Sequence, residues 1–231
     1  NIRISNYVST TESKSYQDVV KKLAAGISST EELFKCIHNR TVNKWGKDTI
    51  LAALTGLVTE VDADIIGDYW TEVQLAKQHK QKYQDKMLDI CKEHFPKEME
   101  RLQTIPGIKE RSATSIIAEL GTDMKSFETA AHLVSWAGLK ARNDESAGRI
   151  KGRRITHGNK YLRQILIECA WAASKTKGCF YNRFSYTQVN VRRKNRMKVQ
   201  VAIARKLLVA IWHVIHDGVD YKEYTDIDKS R

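Results

Sequence analysis

One serine in this sequence has the surroundings that chemistry on a phosphate group requires. Ser146 is followed by Ala147 and Gly148, whose small side chains would let a phosphate-bearing strand approach closely. Four cations come next: Arg149, Lys151, Arg153 and Arg154. Transfer at phosphorus depends mainly on positioning the reactants and on neutralising charge, and arginine and lysine can do both. The pattern predicts a loop that attracts phosphate, with the four cations as phosphate-binding groups and Ser146 as a candidate nucleophile.

The activation of this serine is not visible in the sequence. A serine hydroxyl is a weak nucleophile that needs a base, a metal ion or a charge clamp. No Ser-His-Asp or Ser-Lys arrangement is legible around Ser146. His157 could carry the proton, although a loop histidine that binds phosphate or solvent is the plainer alternative. For Ser146 itself, the alternative is a serine that forms a turn or a helix cap.

The net charge of the chain is +12, and the positive surplus lies in one block. Residues 140–206 contain 18 lysines and arginines against 3 aspartates and glutamates, whereas residues 1–139 contain 18 against 19. A block of this kind is the electrostatic footprint of a protein that binds the phosphate backbone of a nucleic acid. A solvated basic face with no ligand is the alternative.

The serine and its cations lie in a polar, glycine-punctuated loop, residues 137–163, between two segments with helical periodicity. Gly138 closes the helix before the loop, and the helix after it is predicted over residues 160–176. We expect Asn159 and Arg163, where the second helix begins, to shape the site or to hold a phosphate. The alternative for Asn159 is a helix N-cap.

Residues 99–121 are predicted to form a helix, a tight Pro-Gly turn and a second helix, which is the helix-hairpin-helix pattern. Gly107 lies in the turn, and Lys109 lies where the second helix begins. The N–H groups at the start of a helix have no partner within it, so they can bind a DNA phosphate without reading bases. We therefore predict that Gly107 and Lys109 contact phosphate, although such turns also occur with no ligand.

The predicted fold class is all-α, because no convincing strand is found. Residues 1–98 are interpreted as a helical, coiled-coil-like linker region, and residues 99–231 as a compact helical domain. A long helical stretch is predicted over residues 48–95, where the apolar spacing is close to a heptad in places. It is interpreted either as one arm of an antiparallel helical pair, with its partner missing or in another subunit, or as an ordinary bundle helix.

Cysteine and hydropathy patterns exclude several other classes. The four cysteines show no paired spacing, so we expect reduced thiols in an intracellular protein. Two Cys-His pairs are too sparse for a recognisable zinc site, and no metal site is predicted in this chain: Cys36 with His38, and Cys91 with His94. No apolar run of about 18 residues and no signal-peptide core is found, so no membrane partner is expected.

Four segments occur in an order and spacing that are typical of one family. They are LQTIPGIKERSATSIIAELG, FETAAHLVSWAGL, NDESAG and HGNKYLRQILIECAWAA. Together they resemble the C-terminal half of the DEDD-plus-serine insertion-sequence transposases, also called bridge-RNA-guided recombinases. The resemblance covers residues 99–217, and residues 1–98 are similar, with weaker motifs, to the helical coiled-coil linker of that family.

The resemblance implies a mechanism. In the family, an RNase-H-like domain binds Mg²⁺ through an acidic tetrad, and a serine of the C-terminal domain forms a covalent phosphoserine link with DNA. That serine maps onto Ser146. The RNase-H-like domain has no counterpart in this sequence, which begins about where the linker should. We therefore expect Mg²⁺ to be bound outside this chain, no cofactor to be bound by the chain itself, and the chain alone to be inactive.

The resemblance also implies partners and a location. DNA and a structured guide RNA are expected, together with a homo-oligomer, dimer or tetramer, formed through the helical linker in the prokaryotic cytoplasm. The predicted function is cleavage and rejoining of DNA. Two alternatives stay open. One is a helix-hairpin-helix module that binds DNA without chemistry, and the other is an RNA-binding assembly scaffold that oligomerises through the long helix.

Overall fold

A computed structural model of the chain describes residues 2–140, 144–152 and 155–223, and for residues 144–146 and 150–152 it describes the backbone alone. Two compact units are present, Asn1–Lys82 and Tyr83–Arg231. The domain boundary predicted from the sequence, after residue 98, stays a prediction, because a compact unit is not the same thing as an independently folding domain.

Within the described residues the secondary structure is almost entirely helical, so the predicted all-α fold class is confirmed. The α-helices are α1 (Lys14–Ala24), α2 (Thr30–Phe34), α3 (Asn39–Trp45), α4 (Lys47–Leu54), α5 (Glu60–His94), α6 (Pro96–Gln103), α7 (Glu110–Leu120), α8 (Ala130–Trp136), α9 (Lys160–Lys175), α10 (Phe180–Tyr186) and α11 (Arg196–His216). Short 3-10 turns occur at Ile4–Asn6 and Met124–Ser126, and a π-helical turn occurs at Thr187–Val191.

One small hairpin is added to this helical fold. Its strands are β1 (Asp144–Ser146) and β2 (Arg149–Gly152), which pair antiparallel. No convincing strand was predicted from the sequence because these strands are short. Strands of 3 and 4 residues are too short for an alternating apolar pattern to show, so only the turn between them could have indicated the hairpin.

The first unit is built around an apolar core to which α1, α2 and α4 contribute. α1 begins where the Tyr16 N–H donates to Ser13 Oγ (3.4 Å), and it is followed by Gly26, which has a φ of 74°. The amphipathic pattern of these helices places their apolar residues inside. Those that are buried are Val19, Leu23, Leu33, Ile50, Ala53 and Leu54.

The helical stretch predicted over residues 48–95 is two helices in the structure, which corrects the sequence analysis. α4 ends at Leu54 and α5 begins at Glu60. The break is fixed by Thr59 and Asp62, because the Thr59 N–H donates to Asp62 Oδ2 (2.9 Å) and the Asp62 N–H donates to Thr59 Oγ1 (3.2 Å). This reciprocal pair caps a new helix. The hydrogen bonds that the Thr59 N–H and the Thr59 hydroxyl donate to the Asp62 carboxylate lower its pKa.

The second unit packs around α9 and α11. The buried residues of α11 include Val199, Ile203, Leu207, Leu208 and Ile211, and those of α9 include Leu162, Leu166, Ala170 and Ala173. The Nε2 of Gln200, near the start of α11, lies 3.4 Å from the Oγ of Ser174, near the end of α9. α11 therefore begins beside the point where α9 ends.

α11 is the one helix of the described residues that is long and apolar enough to cross a membrane by length and composition. Half of its most apolar stretch, 50%, is buried inside the unit. Its hydropathy is accounted for by this burial, since α11 supplies much of the core that α6, α8 and α9 cover.

Candidate active site

Ser146 is the last residue of β1, at the tip of the hairpin. It lies opposite Arg149, the first residue of β2, in the register of the two strands. Ala147 and Gly148 form the two-residue turn between them, with φ values of 50° and 72°. Positive φ at both positions is the signature of a type I′ turn, whose twist matches that of the flanking strands. Local backbone geometry thus sets Ser146 beside a cation at an exposed turn.

Ala147 has a backbone conformation that favours glycine. A left-handed φ brings the Cβ of an L-residue close to the next carbonyl oxygen, at a cost of about 1–2 kcal/mol. In the described part of the chain only Ala147 and Arg193 adopt positive φ without being glycine. Strain of this kind recurs at functional sites, where the surrounding structure maintains it. Here it lies directly after the candidate nucleophile.

The loop that carries the hairpin leaves the end of α8 through Gly138. The Leu139 N–H donates to the Val134 carbonyl (3.0 Å), and the Gly138 N–H donates to the Ser135 carbonyl (3.1 Å). This pair of bonds is the Schellman arrangement, which requires a left-handed residue, and Gly138 supplies it with a φ of 70°. Leu139 is buried, so the chain is anchored before it turns out into the loop.

The two ends of the loop meet at Gly138 and Gly158. A Cβ on Gly158 would lie 2.3 Å from the Gly138 nitrogen and 2.5 Å from the Trp136 carbonyl oxygen. Two hydrogen bonds close the same neck: Thr156 N–H to the Lys140 carbonyl (3.1 Å) and Asn159 N–H to the Trp136 carbonyl (3.3 Å). Two glycines are needed because no side chain fits between the two backbones.

Asn159 is the N-cap of α9. Its Oδ1 accepts hydrogen bonds from the Tyr161 N–H (2.9 Å) and the Leu162 N–H (3.0 Å), and its Nδ2 donates to Glu119 Oε2 (2.7 Å). The amide therefore ties the start of α9 to α7. These contacts are those of the helix N-cap that was the alternative for Asn159. A contact between Asn159 and a phosphate stays a prediction.

The predicted cations are placed as follows. Arg149 is exposed at the start of β2, and Arg163 is half-buried on α9, one turn after its N-cap. The backbone of Lys151 lies in β2. Arg153 and Arg154 lie outside the described residues. Ser146 and Arg149 are thus brought together by strand pairing, while Asn159 and Arg163 lie at the neck and on the helix that follows it.

The turn between α6 and α7 contains Gly107, which was predicted to bind phosphate. Gly107 has a φ of 87° and packs against α9. A Cβ there would lie 2.4 Å from the Cys169 carbonyl oxygen and 2.6 Å from the Ala173 nitrogen. Close packing therefore explains the glycine without a ligand, and its contact with phosphate stays a prediction.

The start of α7 presents the second predicted phosphate contact of this turn. Lys109 is exposed, and its N–H donates to Ser112 Oγ (2.8 Å). Glu110 lies in the first turn of α7, where it forms an ion pair with Lys92 (2.6 Å between Oε1 and Nζ). The Glu110 carboxylate competes with a phosphate for the positive end of the helix dipole. A phosphate can therefore bind here only if Lys92 or Lys109 neutralises the negative charge of Glu110.

The thiols do not form a reactive or metal-binding centre in the described residues. Burial raises the pKa of the Cys91 and Cys169 thiols, which keeps them neutral. Cys36 is partly buried, and its pKa is raised in the same way. Among the residues that the structure describes, no three histidine, cysteine, aspartate or glutamate side chains come together as a metal site would require.

A second group of cations was left out of the predicted site. Arg192, Arg193, Lys194, Arg196 and Lys198 are all exposed, around the start of α11. Their sequence signal, a run of charge with no carboxylate, was visible as a basic run before the last helix. The sequence did not indicate where these cations lie relative to the neck of the serine loop, because only the packing of α9 on α11 fixes that position.

The central part of the chain has relatives among known proteins. Residues 99–185 match the family described as transposase IS116/IS110/IS902. This segment begins within α6, ends within α10 and contains the hairpin with Ser146. The similarity therefore covers the candidate site and the α6–α7 turn.

Individual relatives agree with the family match. The chain is 29% identical over 122 residues to the insertion element IS110 uncharacterized 43.6 kDa protein of Streptomyces coelicolor, which covers 52% of this chain and 29% of that protein. It is 31% identical over 119 residues to the pilin gene-inverting protein of Moraxella bovis, which covers 51% of this chain and 36% of that protein. Its matches thus span about a third of the length of these curated relatives.

Proposed function

We propose that this chain carries the nucleophile of a DNA-rearranging enzyme, a transposase or recombinase that cleaves and rejoins DNA through Ser146. The observation that supports this most is the position of Ser146 at the hairpin tip, opposite Arg149, inside the segment similar to transposases. Ala147, Gly148 and Arg149 are exposed, so a DNA backbone can reach the tip without any change in the core.

In the proposed reaction the Ser146 hydroxyl attacks a phosphorus atom of the DNA backbone. The bond between the serine oxygen and phosphorus forms, and the bond from phosphorus to one deoxyribose oxygen breaks. The serine proton passes to a base, and the deoxyribose oxygen takes up a proton and leaves as a free hydroxyl. One phosphodiester replaces another, so a hydroxyl of a second strand can reverse the step, rejoin the DNA and restore the serine.

Arg149 is the residue of this chain best placed to assist. A guanidinium can hold two phosphate oxygens at once and neutralise the charge that develops on them. Lys151, Arg153 and Arg154 would extend the same phosphate-binding strip. As the family resemblance implies, Mg²⁺ belongs to an RNase-H-like domain outside these residues, where it would polarise the phosphate and stabilise the leaving oxygen.

A trapping assay tests the serine. The chain is combined with an RNase-H-like domain, Mg²⁺, guide RNA and a nicked DNA that cannot be rejoined, and covalent protein–DNA adducts are separated under denaturing conditions. We expect Ser146→Ala to abolish the adduct while DNA affinity stays within about a few-fold, because deleting one hydroxyl removes no charge. Ser126→Ala, at an exposed serine of the same unit, is the matched control and keeps the adduct.

Two results of that assay would contradict the proposal. An undiminished adduct from Ser146→Ala would show that another group attacks the phosphorus. Failure of every variant to form an adduct, under conditions where DNA is bound, would favour a binding module without chemistry. The α6–α7 turn with exposed Lys109 supports that second candidate, since such a turn can hold a duplex by its phosphates.

The proposal includes a homo-oligomer formed through α5. Large apolar side chains remain exposed along this helix: Val61, Ile65, Tyr69, Val73, Tyr83, Met87 and Ile90. An apolar stripe on a long helix is typical of a surface that a second helix covers. Sedimentation of the chain would give its mass, and a monomer at high concentration would exclude this role for α5.

A guide RNA and a cytoplasmic location complete the proposal, and both follow from the family resemblance. The basic block of residues 140–206 is large enough to hold an RNA as well as DNA. Co-purification of a discrete RNA with the chain, lost on treatment with high salt, is expected. Recovery of nucleic-acid-free protein from cells that express the whole mobile element would contradict RNA guidance.

A further inference from the structure

A cationic segment lies at the far end of α9 from the neck of the serine loop. Residues 191–198, here called the basic turn, hold five cations and no carboxylate: Arg192, Arg193, Lys194, Arg196 and Lys198. All eight residues are exposed. None of the five cationic side chains forms an ion pair or a hydrogen bond with any residue that the structure describes. A cluster of cations with no partner within the protein favours the binding of an anionic ligand.

The backbone of the basic turn is held in place by hydrogen bonds. The Arg192 N–H donates to the Thr187 carbonyl (2.9 Å), and the Lys194 N–H donates to the Gln188 carbonyl (3.0 Å). Asn195 Oδ1 then accepts from the Met197 N–H (2.9 Å) and so caps α11. The cations therefore project from a fixed scaffold, which lowers the entropy cost of binding a ligand at several points at once.

The position of the basic turn relative to the hairpin follows from α9. Asn159, at the N-terminal end of this helix, belongs to the neck of the serine loop, and Ser174, near its C-terminal end, lies beside Gln200 of α11. α9 contains 16 residues. At a rise of 1.5 Å per residue the neck and the basic turn are about 24 Å apart along the helix.

This spacing fits duplex DNA. Two cationic points fixed on one rigid helix suit a stiff ligand, and a DNA duplex is stiff over about 150 base pairs. At 3.4 Å per base pair, about 24 Å corresponds to about seven base pairs. Arginine and lysine at such a distance hold phosphates and fix the register of the duplex without reading its sequence.

We propose that the basic turn binds the backbone of the duplex DNA on which Ser146 acts, about seven base pairs from the neck of the serine loop. The inference rests on the proposed function, because this DNA is the substrate of the Ser146 reaction. It adds an interaction surface outside residues 99–185, the segment shared with the transposase family. The basic turn would thereby set the position of the duplex on the protein.

The test compares two triple variants of the full chain. The first removes three cations of the basic turn, Arg192→Gln, Lys194→Gln and Arg196→Gln. The second removes three exposed lysines elsewhere in the same unit, Lys97→Gln, Lys125→Gln and Lys222→Gln. Binding to a fluorescent DNA duplex is measured over a series of salt concentrations. Each lost phosphate contact lowers the slope of log affinity against log salt by about 1, so the first variant should lose about 3 and the second much less.

A second measurement locates the contact. Hydroxyl-radical footprinting of the Ser146-linked DNA adduct should show a protected stretch of duplex backbone away from the attached nucleotide, and the first variant should lose this protection. Because all substituted residues are exposed, both variants are expected to unfold at the parent's temperature. If the triple variant folds poorly, the single variants Lys194→Gln and Arg196→Gln are tested in the same way. Each should lower the slope of log affinity against log salt by about 1.

The outcomes separate this inference from the proposed function. A Ser146 adduct combined with a parental salt slope and footprint in the first variant overturns the inference and leaves the serine mechanism standing. A reduced slope without any Ser146 adduct overturns the proposed function and leaves the basic turn as a DNA-binding surface. A third outcome is that the first variant loses about 3 from the salt slope of binding to double-stranded RNA and nothing from that of binding to DNA. That result would show that the basic turn holds RNA, which also overturns the inference.

Discussion

Gly138 and Gly158 touch backbone to backbone at the neck of the serine loop. A Cβ on Gly138 would lie 2.8 Å from the Thr156 carbonyl oxygen and 2.9 Å from the Gly158 nitrogen. The contact joins the end of α8 to the start of α9, and Ser146 lies in the part of the chain between them. Two residues without side chains therefore close the loop that carries the candidate nucleophile.

Gly158→Ala should damage this neck. The added Cβ would meet backbone atoms at 2.3 Å and 2.5 Å, and backbone cannot rotate away as a side chain can. We expect a loss of about 1–3 kcal/mol in the free energy of unfolding, measured with urea, and a fall in adduct formation larger than the loss of stability explains. Gly67→Ala is the control, because Gly67 has no positive φ and a Cβ there would come no closer than 3.9 Å to another residue. An unchanged Gly158→Ala variant would show that the neck is not tight in solution.

The type I′ turn next to Ser146 makes opposite predictions for two neighbouring residues. Ala147→Gly should relieve strain of about 1 kcal/mol and slow hydrogen exchange in the hairpin, since glycine adopts a φ of 50° freely. Gly148→Ala should speed that exchange, because a second residue would then be strained. Amide exchange followed by NMR separates the two. The same direction of change in both variants would exclude a I′ turn.

Gly107 and Lys109 can be separated by what each change removes. Gly107→Ala places a Cβ 2.4 Å from the Cys169 carbonyl oxygen, so it should destabilise the second unit by about 1–3 kcal/mol in thermal unfolding. Lys109→Gln should leave stability unchanged and reduce the salt slope of DNA binding by about 1. Should Lys109→Gln bind DNA as the parent does at every salt concentration, the α6–α7 turn would be a packing element alone.

Glu32 should give the first unit a pH dependence. Hydrogen bonds from Lys22 (2.8 Å) and from Lys35 lower the pKa of this carboxyl to about 2. A group whose pKa is lower in the folded state stabilises it above the unfolded pKa, near 4.5, and this contribution is lost as the pH falls towards 2. Glu32→Gln should therefore reduce the pH dependence of the free energy of unfolding of the first unit in that window. The effect should be small, because the side chain is 42% exposed and solvent screens its charge.

The measurement for this prediction is urea unfolding at a series of pH values, with Glu31→Gln as the neighbouring control. Glu31 lies beside Glu32 on α2 and bonds only to Ser29 Oγ among the partners that the structure describes (3.1 Å). An identical pH profile for parent and Glu32→Gln would mean that the lysines do not hold the carboxylate in solution.

The sequence by itself determined most of the helices and the residue types at the candidate site. Ser13, Thr129 and Asn159 accept the capping bonds that open α1, α8 and α9. Caps and amphipathic faces act within a few residues, so they are written in the local sequence. The cluster of Ser146 with its following cations is local in the same sense, and so is the charge block of residues 140–206.

The tertiary structure decided what the glycines and Asn159 do. Gly107 is fixed by the Cys169 and Ala173 backbone, Gly158 by Gly138, and the Asn159 amide by Glu119. Each of these contacts joins positions far apart in the chain, and no spacing rule connects them. The same holds for the basic turn, whose distance from the neck of the serine loop is set by the packing of α9 on α11. Local chemistry could be predicted from the sequence, whereas which backbones touch, and at what distance, is settled only when the helices are packed.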